Sequence, residues 1–426
     1  MTTLLLGRYR WLVCALLFLA TTINYIDRQI LSLLKSTLDA ELHWTNKDFG
    51  FVNSCFSAAY AVGLLVFGKF IDRFGVKIGY ATSIVAWSLA AAGHALVGSV
   101  NGFIAARVAL GLGEGGNFPS SIKAVALWFP KRERAFATAL FNSGSNVGAI
   151  VAPAIVPVIA AAWGWRAAFV MMGVVGLLWL LVWLPFYDSP EKIARVTRDE
   201  LAHIRSDAVA IDPNEGRPMG WFELLRYRQA WSFIVAKFMT DPVWWFFLIW
   251  LPDYFKKKWG LDIKNSWVHL VTIYAIITVL SIAGSWFTGN LAKRGWSSNR
   301  ARKTGMFVFA CCVFPIFFAT RVDPWTAVLL IGVAGAAHQA WSANLFTTTS
   351  DMFPKRAVGS LVGMGGMAGS AGGIAFPYVA GLLLDRLGTQ GYAVLFAICG
   401  SAYLLAFIAN HLLAPRFEPI TIPSRH

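Results

Sequence analysis

Phe129-Pro130-Lys131-Arg132 returns 224 residues later as Phe353-Pro354-Lys355-Arg356, and the same offset carries Gly148 onto Gly372 and Pro153 onto Pro377. Matches held in one order at one offset divide the chain into two equivalent halves, with the repeat falling at the fifth and eleventh of its apolar stretches. A soluble repeat array would instead recur every 20–50 residues or so. Duplication within an apolar chain is a hallmark of secondary transporters.

Outward from that repeat the chain stays apolar. Of 426 residues, 57% are hydrophobic and 14% charged, and the mean hydropathy is +0.57, so lipid must be the main solvent. A membrane span takes about 20 apolar residues. Twelve such stretches are predicted, at 9–34, 49–70, 77–98, 100–125, 135–161, 167–187, 229–252, 267–291, 304–320, 325–348, 359–384 and 390–413. Continuous runs of this length exclude a β-barrel, whose strands alternate over about ten residues. The fold class is therefore all-α, a membrane protein of two pseudo-symmetric six-helix bundles: 1–187, a polar linker at 188–228, and 229–426. Within the linker, Thr197-Arg198-Asp199-Glu200 fits a capping box that opens a short amphipathic helix; a plain solvated linker is the blander alternative.

The net charge of +15 would suit nucleic acid, but the basic residues sit in short loops rather than on one soluble face, so no nucleic-acid partner is expected. Arg8, Arg10, Arg73, Lys77, Lys131, Arg132, Arg134, Lys293, Arg294, Arg300, Arg302, Lys303, Lys355 and Arg356 fall on one side if the spans alternate, which places both termini in the cytoplasm. Lys256, Lys257 and Lys258 disagree. The five cysteines lie inside apolar stretches without ligand-like spacing and read as packing residues. Residues 11–20 resemble a signal-peptide core, but the helical pattern runs on through Asp27 and Arg28, so an uncleaved first span is expected.

Four charges sit where lipid should be: Asp27 and Arg28 in the first stretch, Arg107 and Glu114 in the fourth. On translocon scales each costs about 3 kcal/mol, roughly 12 in all before pairing. Arg107, Gly111 and Glu114 share one helical stripe, the two charges about 10 Å apart along the axis. A carboxylate caught between burial, which disfavours its charge, and an arginine, which favours it, can gain or lose a proton as water or ligand arrives. Asp27 and Glu114 are the proton-coupling candidates, and Arg28 and Arg107 can hold an anion through charge-assisted hydrogen bonds. A static ion-pair network bracing the two helices is the competing reading.

Further polar residues lie deep in the stretches: Tyr60; Asn142, Ser145 and Asn146; Lys237 and Asp241; His338, Gln339, Ser342 and Asn344. Lys237 and Asp241 are four apart on one face and either neutralise each other or serve the solute. His338 is a satisfied interhelical hydrogen-bonder or a proton carrier. Trp244 and its aromatic neighbours suit either packing or stacking on a sugar face. Gly144 and Gly148, with the run from Gly363 to Gly373, allow helices to approach closely, either as static packing or as a sliding pair. No metal motif, phosphate loop or nucleophile elbow appears, so neither an enzyme nor a cofactor is expected.

The loop Gly68-Lys69-Phe70-Ile71-Asp72-Arg73-Phe74-Gly75-Val76-Lys77 resembles the signature loop of the major facilitator superfamily, in which Gly68, Asp72, Arg73 and Gly75 would belong to a gating latch. Its counterpart, Gly289-Asn290-Leu291-Ala292-Lys293-Arg294-Gly295, has asparagine where the family often has aspartate, which implies a weaker latch. Tyr25-Ile26-Asp27-Arg28, the run from Arg107 to Pro119, and Phe141 to Pro153 resemble the anion:cation symporter branch. The segments around Asp241-Pro242, Trp250-Leu251-Pro252 and Ala337-His338-Gln339-Ala340 look like bacterial hexuronate transporters. The resemblance implies a central site between two bundles, proton coupling at Asp27 and Glu114, and anion contacts at Tyr25, Arg28, Tyr60 and Arg107. It also implies that Ser145 sits where relatives with different sugar acids differ.

The expectation is a monomeric, proton-coupled symporter importing a sugar-acid anion, a hexuronate such as glucuronate or galacturonate, across the inner membrane of a bacterium. Asn142, Ser145, His338, Gln339 and Asn344 complete the expected substrate contacts, with Lys237 and Asp241 as substrate contacts or an ion pair. The alternatives are an aldonate or aromatic carboxylate as cargo, an exporter of the same fold, and a non-transporting membrane sensor.

Overall fold

The computed structural model describes residues 8–206, 219 and 221–420. Among them are seventeen α-helices. The first nine are α1 (Tyr9–Leu33), α2 (Lys35–Leu42), α3 (Asn46–Phe74), α4 (Val76–Gly93), α5 (Val100–Glu114), α6 (Asn117–Trp128), α7 (Lys131–Asn142), α8 (Gly144–Trp163) and α9 (Trp165–Phe186). Two short helices follow, α10 (Arg198–Ile204) and α11 (Trp221–Leu224). The rest are α12 (Arg228–Trp259), α13 (Ile263–Lys293), α14 (Ser298–Val313), α15 (Pro324–Met352), α16 (Lys355–Leu387) and α17 (Gly391–Leu413). No strand occurs among the described residues. Helices satisfy their own backbone groups, as a chain this apolar requires in lipid.

Each predicted stretch corresponds to a helix or a helix pair, and two are broken. The fourth divides into α5 and α6 at Gly115-Gly116, and the fifth into α7 and α8 at Ser143. By length and apolarity alone, eight segments of the described residues qualify as membrane spans. The fourth stretch falls outside that set because its two helices, of 15 and 12 residues, are each too short; α4 and the polar α15 also fall outside, and the eleventh and twelfth stretches count as one segment, Ser360–Leu413.

The chain divides into two compact units, Met1–Trp44 with Cys55–Asp212, and Thr45–Ser54 with Pro213–His426. The short segment 45–54 thus groups with the second unit rather than the first. The sequence repeat is also a repeat of conformation. Phe129 and Phe353 each close a helix in the extended region and donate their N–H to the carbonyl four residues back, Val125 at 3.0 Å and Thr349 at 2.9 Å. Pro130 (φ −61°, ψ 153°) and Pro354 (φ −64°, ψ 153°) then start the next helix with the φ that proline fixes. Pro153 and Pro377 both lie inside helices.

In the linker, Thr197 caps α10 by accepting from the Glu200 N–H at 3.2 Å. The reciprocal half of the expected capping box is not made. Glu200, fully buried, instead accepts from the Arg10 backbone N–H at 3.1 Å, and His203 reaches Glu133 at 2.7 Å. Pro213 and Pro218 lie outside the described residues. The three lysines that break the charge pattern occupy the last turn of α12, where the helix dipole favours cations. Two of them are also paired, Lys257 with Asp253 at 3.0 Å and Lys256 with Asp262.

Candidate functional site

In the first unit, glycine decides which side chains meet. A Cβ on Gly111 would stand 2.5 Å from the Phe56 carbonyl oxygen, and one on Gly115 2.4 Å from the Gly63 carbonyl carbon, so α5 and α3 touch backbone to backbone. On the other side, Cβ atoms on Gly144 and Gly148 would meet the Phe18 and Thr22 carbonyls at 2.4 and 2.6 Å, which packs α8 against α1. These contacts bring the charged stripe of α5 and the charged turn of α1 to the aromatic face of α3.

Arg28 Nε donates to Glu114 Oε2 at 2.6 Å, a short charge-assisted bond between residues that are 8% and 0% exposed. The guanidinium lies over three rings, Tyr60 at 4.4 Å, Tyr25 at 5.0 Å and Phe56 at 5.6 Å. Arg107 sits over the same Phe56 ring at 5.4 Å and its NH2 group reaches the Arg28 carbonyl at 3.5 Å. Cation–π contacts of this kind hold a guanidinium without using its hydrogen-bond donors. Phe56 escaped the sequence reading; its spacing four residues before Tyr60, on one face of α3, is the signal that could have found it.

The arrangement is polar but incompletely satisfied. Both carboxyl oxygens of Asp27, Oε1 of Glu114 and Nε of Arg107 are buried with no hydrogen-bond partner. A buried carboxylate without partners is costly as an anion, and such groups are met by a proton, a water or a ligand. Asp27, Arg28, Arg107, Glu114, Tyr25 and Tyr60 are thus brought together; the Ser145 hydroxyl donates locally, to the Asn142 backbone carbonyl at 2.7 Å. The latch residues lie at the far end of α3. Asp72 pairs with Lys123 at 2.7 Å, Arg73 lies over the Phe74 ring, and Gly75 takes the positive φ (81°) that starts α4.

The second unit has its own polar centre. Lys237 and Asp241 form an ion pair at 2.7 Å along α12, with the Lys237 ammonium 4.6 Å from the Phe346 ring. The glycine run of α16 packs against this stretch. A Cβ on Gly369 would strike the Asp241 carboxylate at 2.1 Å, and one on Gly372 would meet Pro242 at 2.5 Å. Gly363 and Gly366 face open space. His338 bonds Tyr403, which the sequence reading missed, and stacks on Trp244.

Asn344 donates to the Arg302 carbonyl at 2.9 Å and accepts from the Arg302 side chain at 3.4 Å, so one donor and one acceptor of its amide join α15 to α14. Gln339 and Ser342, half-buried, lie on α15 either side of the fully buried Trp341. A cleft of about 420 Å³ lined by Phe238, Pro242, Phe376 and Leu405 is almost wholly apolar and holds none of the candidate polar groups.

The sequence profile of the Major Facilitator Superfamily matches residues 17–377. The hexuronate transporter of Escherichia coli is 31% identical over 398 residues, 91% of this chain and 90% of that protein. The galacturonate transporter of Dickeya chrysanthemi is 32% identical over 257 residues, 60% of this chain and 74% of that one. A D-galactonate transporter of Escherichia coli is 28% identical, covering 91% and 90%. Among solved structures, the inward-open xylose transporter XylE of Escherichia coli superposes with a TM-score of 0.74 at 16% identity, covering 96% of this chain and 97% of that one. A bacterial homologue of the human lysosomal transporter Spinster gives 0.72 at 16% identity, covering 96% of each chain. At such identities the structural likeness is one of fold.

Proposed function

The chain belongs to the major facilitator superfamily, a family of membrane transporters and not of enzymes, and from that premise we propose that it imports a hexuronate-type sugar-acid anion together with protons by alternating access. The observation that carries this reading is the buried Arg28–Glu114 bond beside an unpartnered Asp27. With Glu114 ionised, Arg28 is occupied by an internal carboxylate. A proton on Glu114 removes that rival and leaves the guanidinium, held over Tyr25 and Tyr60, to a substrate carboxylate. Anion and proton then favour each other's binding, which is the thermodynamic content of symport. Asp27 supplies a second place for a proton. The hexuronate and galacturonate relatives support the choice of cargo.

Orientation follows from the basic loops: both termini face the cytoplasm of a bacterium, and external acid drives uptake. An aldonate is the second reading, favoured by the D-galactonate relative at nearly equal coverage. The test is uptake into proteoliposomes under an imposed pH gradient, competed by hexuronates, aldonates and aromatic acids. Accumulation that follows the gradient and is competed best by a hexuronate supports the proposal. Accumulation indifferent to the gradient rejects the coupling, and preference for an aromatic acid rejects the cargo. In purified protein Arg28→Ala abolishes substrate binding, read by ligand-induced thermal shift; a full shift in that variant removes the anion role.

A further inference from the structure

His338, on α15 in the second unit, is held by two other helices at once. Its Nδ1 bonds the Tyr403 hydroxyl of α17, and that hydroxyl donates in turn to the Thr240 carbonyl of α12 at 3.2 Å. One ring face lies parallel to the Trp244 indole, centroids 5.5 Å apart and planes 6° from parallel, while Tyr403 stands edge-on at 90°. A tyrosine hydroxyl has one proton, and a carbonyl can only accept. With the Tyr403 proton given to Thr240, the His338–Tyr403 bond must use the proton of Nδ1. A neutral imidazole has a single N–H, so its Nε2 is left as a bare acceptor.

The surroundings suit a particular ligand. Lys237, Thr240, Asp241 and Trp244 stand at i, i+3, i+4 and i+7 on α12, so the ion pair, the carbonyl that anchors Tyr403 and the indole that stacks on His338 share one face. A fixed acceptor nitrogen beside an aromatic plane matches a hydroxylated ring, while the Lys237 ammonium is already paired with Asp241 at 2.7 Å. His338 remains 5% exposed, and its Nδ1 and one ring face are already taken by protein.

We propose that His338 reads one hydroxyl of the transported acid through Nε2, and that Tyr403 is the positioning residue that sets its tautomer for the task. The inference rests on the sugar-acid reading above and narrows it to a hydroxyl-by-hydroxyl specificity. An acceptor built for a hydroxyl is left unpaired by an analogue lacking that group, a loss of roughly ten- to a hundredfold in uptake efficiency.

The experiment measures proteoliposome uptake of a hexuronate and of its monodeoxy analogues by the wild type, His338→Asn, His338→Gln and Tyr403→Phe. An asparagine amide can still donate near the Nδ1 position, whereas only the glutamine amide reaches toward Nε2. The expected result is one deoxy analogue disfavoured by the wild type, with that discrimination lost in His338→Asn and restored in part by His338→Gln. Tyr403→Phe raises KM for the parent acid with its maximal rate kept, and weakens the same discrimination. Unchanged discrimination across the deoxy series in His338→Asn, with the protein folded and transporting, overturns the proposal and leaves the sugar-acid reading standing. If the wild type takes up no hexuronate or aldonate at all, both fall. Should His338→Asn fail to reach the membrane, Tyr403→Phe decides: KM and discrimination both unchanged overturn it.

Discussion

Replacing Glu114 by glutamine keeps the side-chain shape and removes the charge that competes for Arg28. The two residues meet at 2.6 Å with almost no solvent. Removing one partner of a buried pair costs about 3–5 kcal/mol, because the other charge is left uncompensated. Two consequences follow from one number. The unliganded Glu114→Gln protein should melt at lower temperature than wild type. An anion that restores the charge balance should recover that energy on binding, worth on the order of 10²- to 10³-fold in Kd at a pH where wild-type Glu114 is ionised. The sign of the pH effect is fixed by the competition: protonation of Glu114 frees Arg28, so wild-type affinity rises as pH falls, by about tenfold per pH unit for a single proton. In the glutamine variant the share of that slope owed to Glu114 should vanish, leaving a shallower dependence that belongs to Asp27. Calorimetric titration of D-galacturonate into detergent-solubilised protein across this range, with melting curves alongside, reads both quantities. A wild-type pH slope in Glu114→Gln, or a wild-type melting temperature without ligand, refutes the reasoning.

Asp27→Asn should abolish pH-driven accumulation yet leave substrate exchange across the liposome membrane, measured as counterflow; accumulation at the wild-type level would remove Asp27 from the coupling. Gly115→Ala should lower the melting temperature through about 1–3 kcal/mol of overpacking, since its Cβ would lie 2.4 Å from the α3 backbone; the equivalent change at Gly363, which faces open space, should do little. At the start of α7, where His203 of the linker helix α10 docks, burial pushes the Glu133 carboxyl up, but the His203 and Arg10 contacts outweigh it and hold the group below its ordinary 4.5. A depressed folded value contributes stability above pH 4.5 that is lost as pH falls through it, so hydrogen-exchange protection of α10 should drop on acidification below that point and stay constant with pH in Glu133→Gln.

How far the sequence could be read depended on whether a feature lives in one helix or between helices. The apolar stretches and the shared stripe of Arg107, Gly111 and Glu114 are properties of single segments, and they were legible as such. The partner of Glu114 was not, because the register of α1 against α5 is set by the glycine contacts of Gly144, Gly148 and Gly111, which a linear pattern does not order in space. The breaks at Gly115-Gly116 and at Ser143 were invisible for the same reason. The contact of Asn344 with the Arg302 side chain of a neighbouring helix was not legible either, because a polar residue deep in an apolar stretch looks the same whatever it faces. Tyr403 gave no signal: a lone tyrosine in a last apolar stretch reads as packing, and its importance comes from Thr240 and His338, far from it in the chain.

The paired helix restarts at Phe129-Pro130 and Phe353-Pro354 agree in backbone angle to within a few degrees at the proline. Such agreement means that one identical four-residue punctuation sets the same helix restart in both halves. Beyond that shared start the halves part in backbone as well as side chain: the first restarts again at Ser143, whereas α16 runs on unbroken to Leu387.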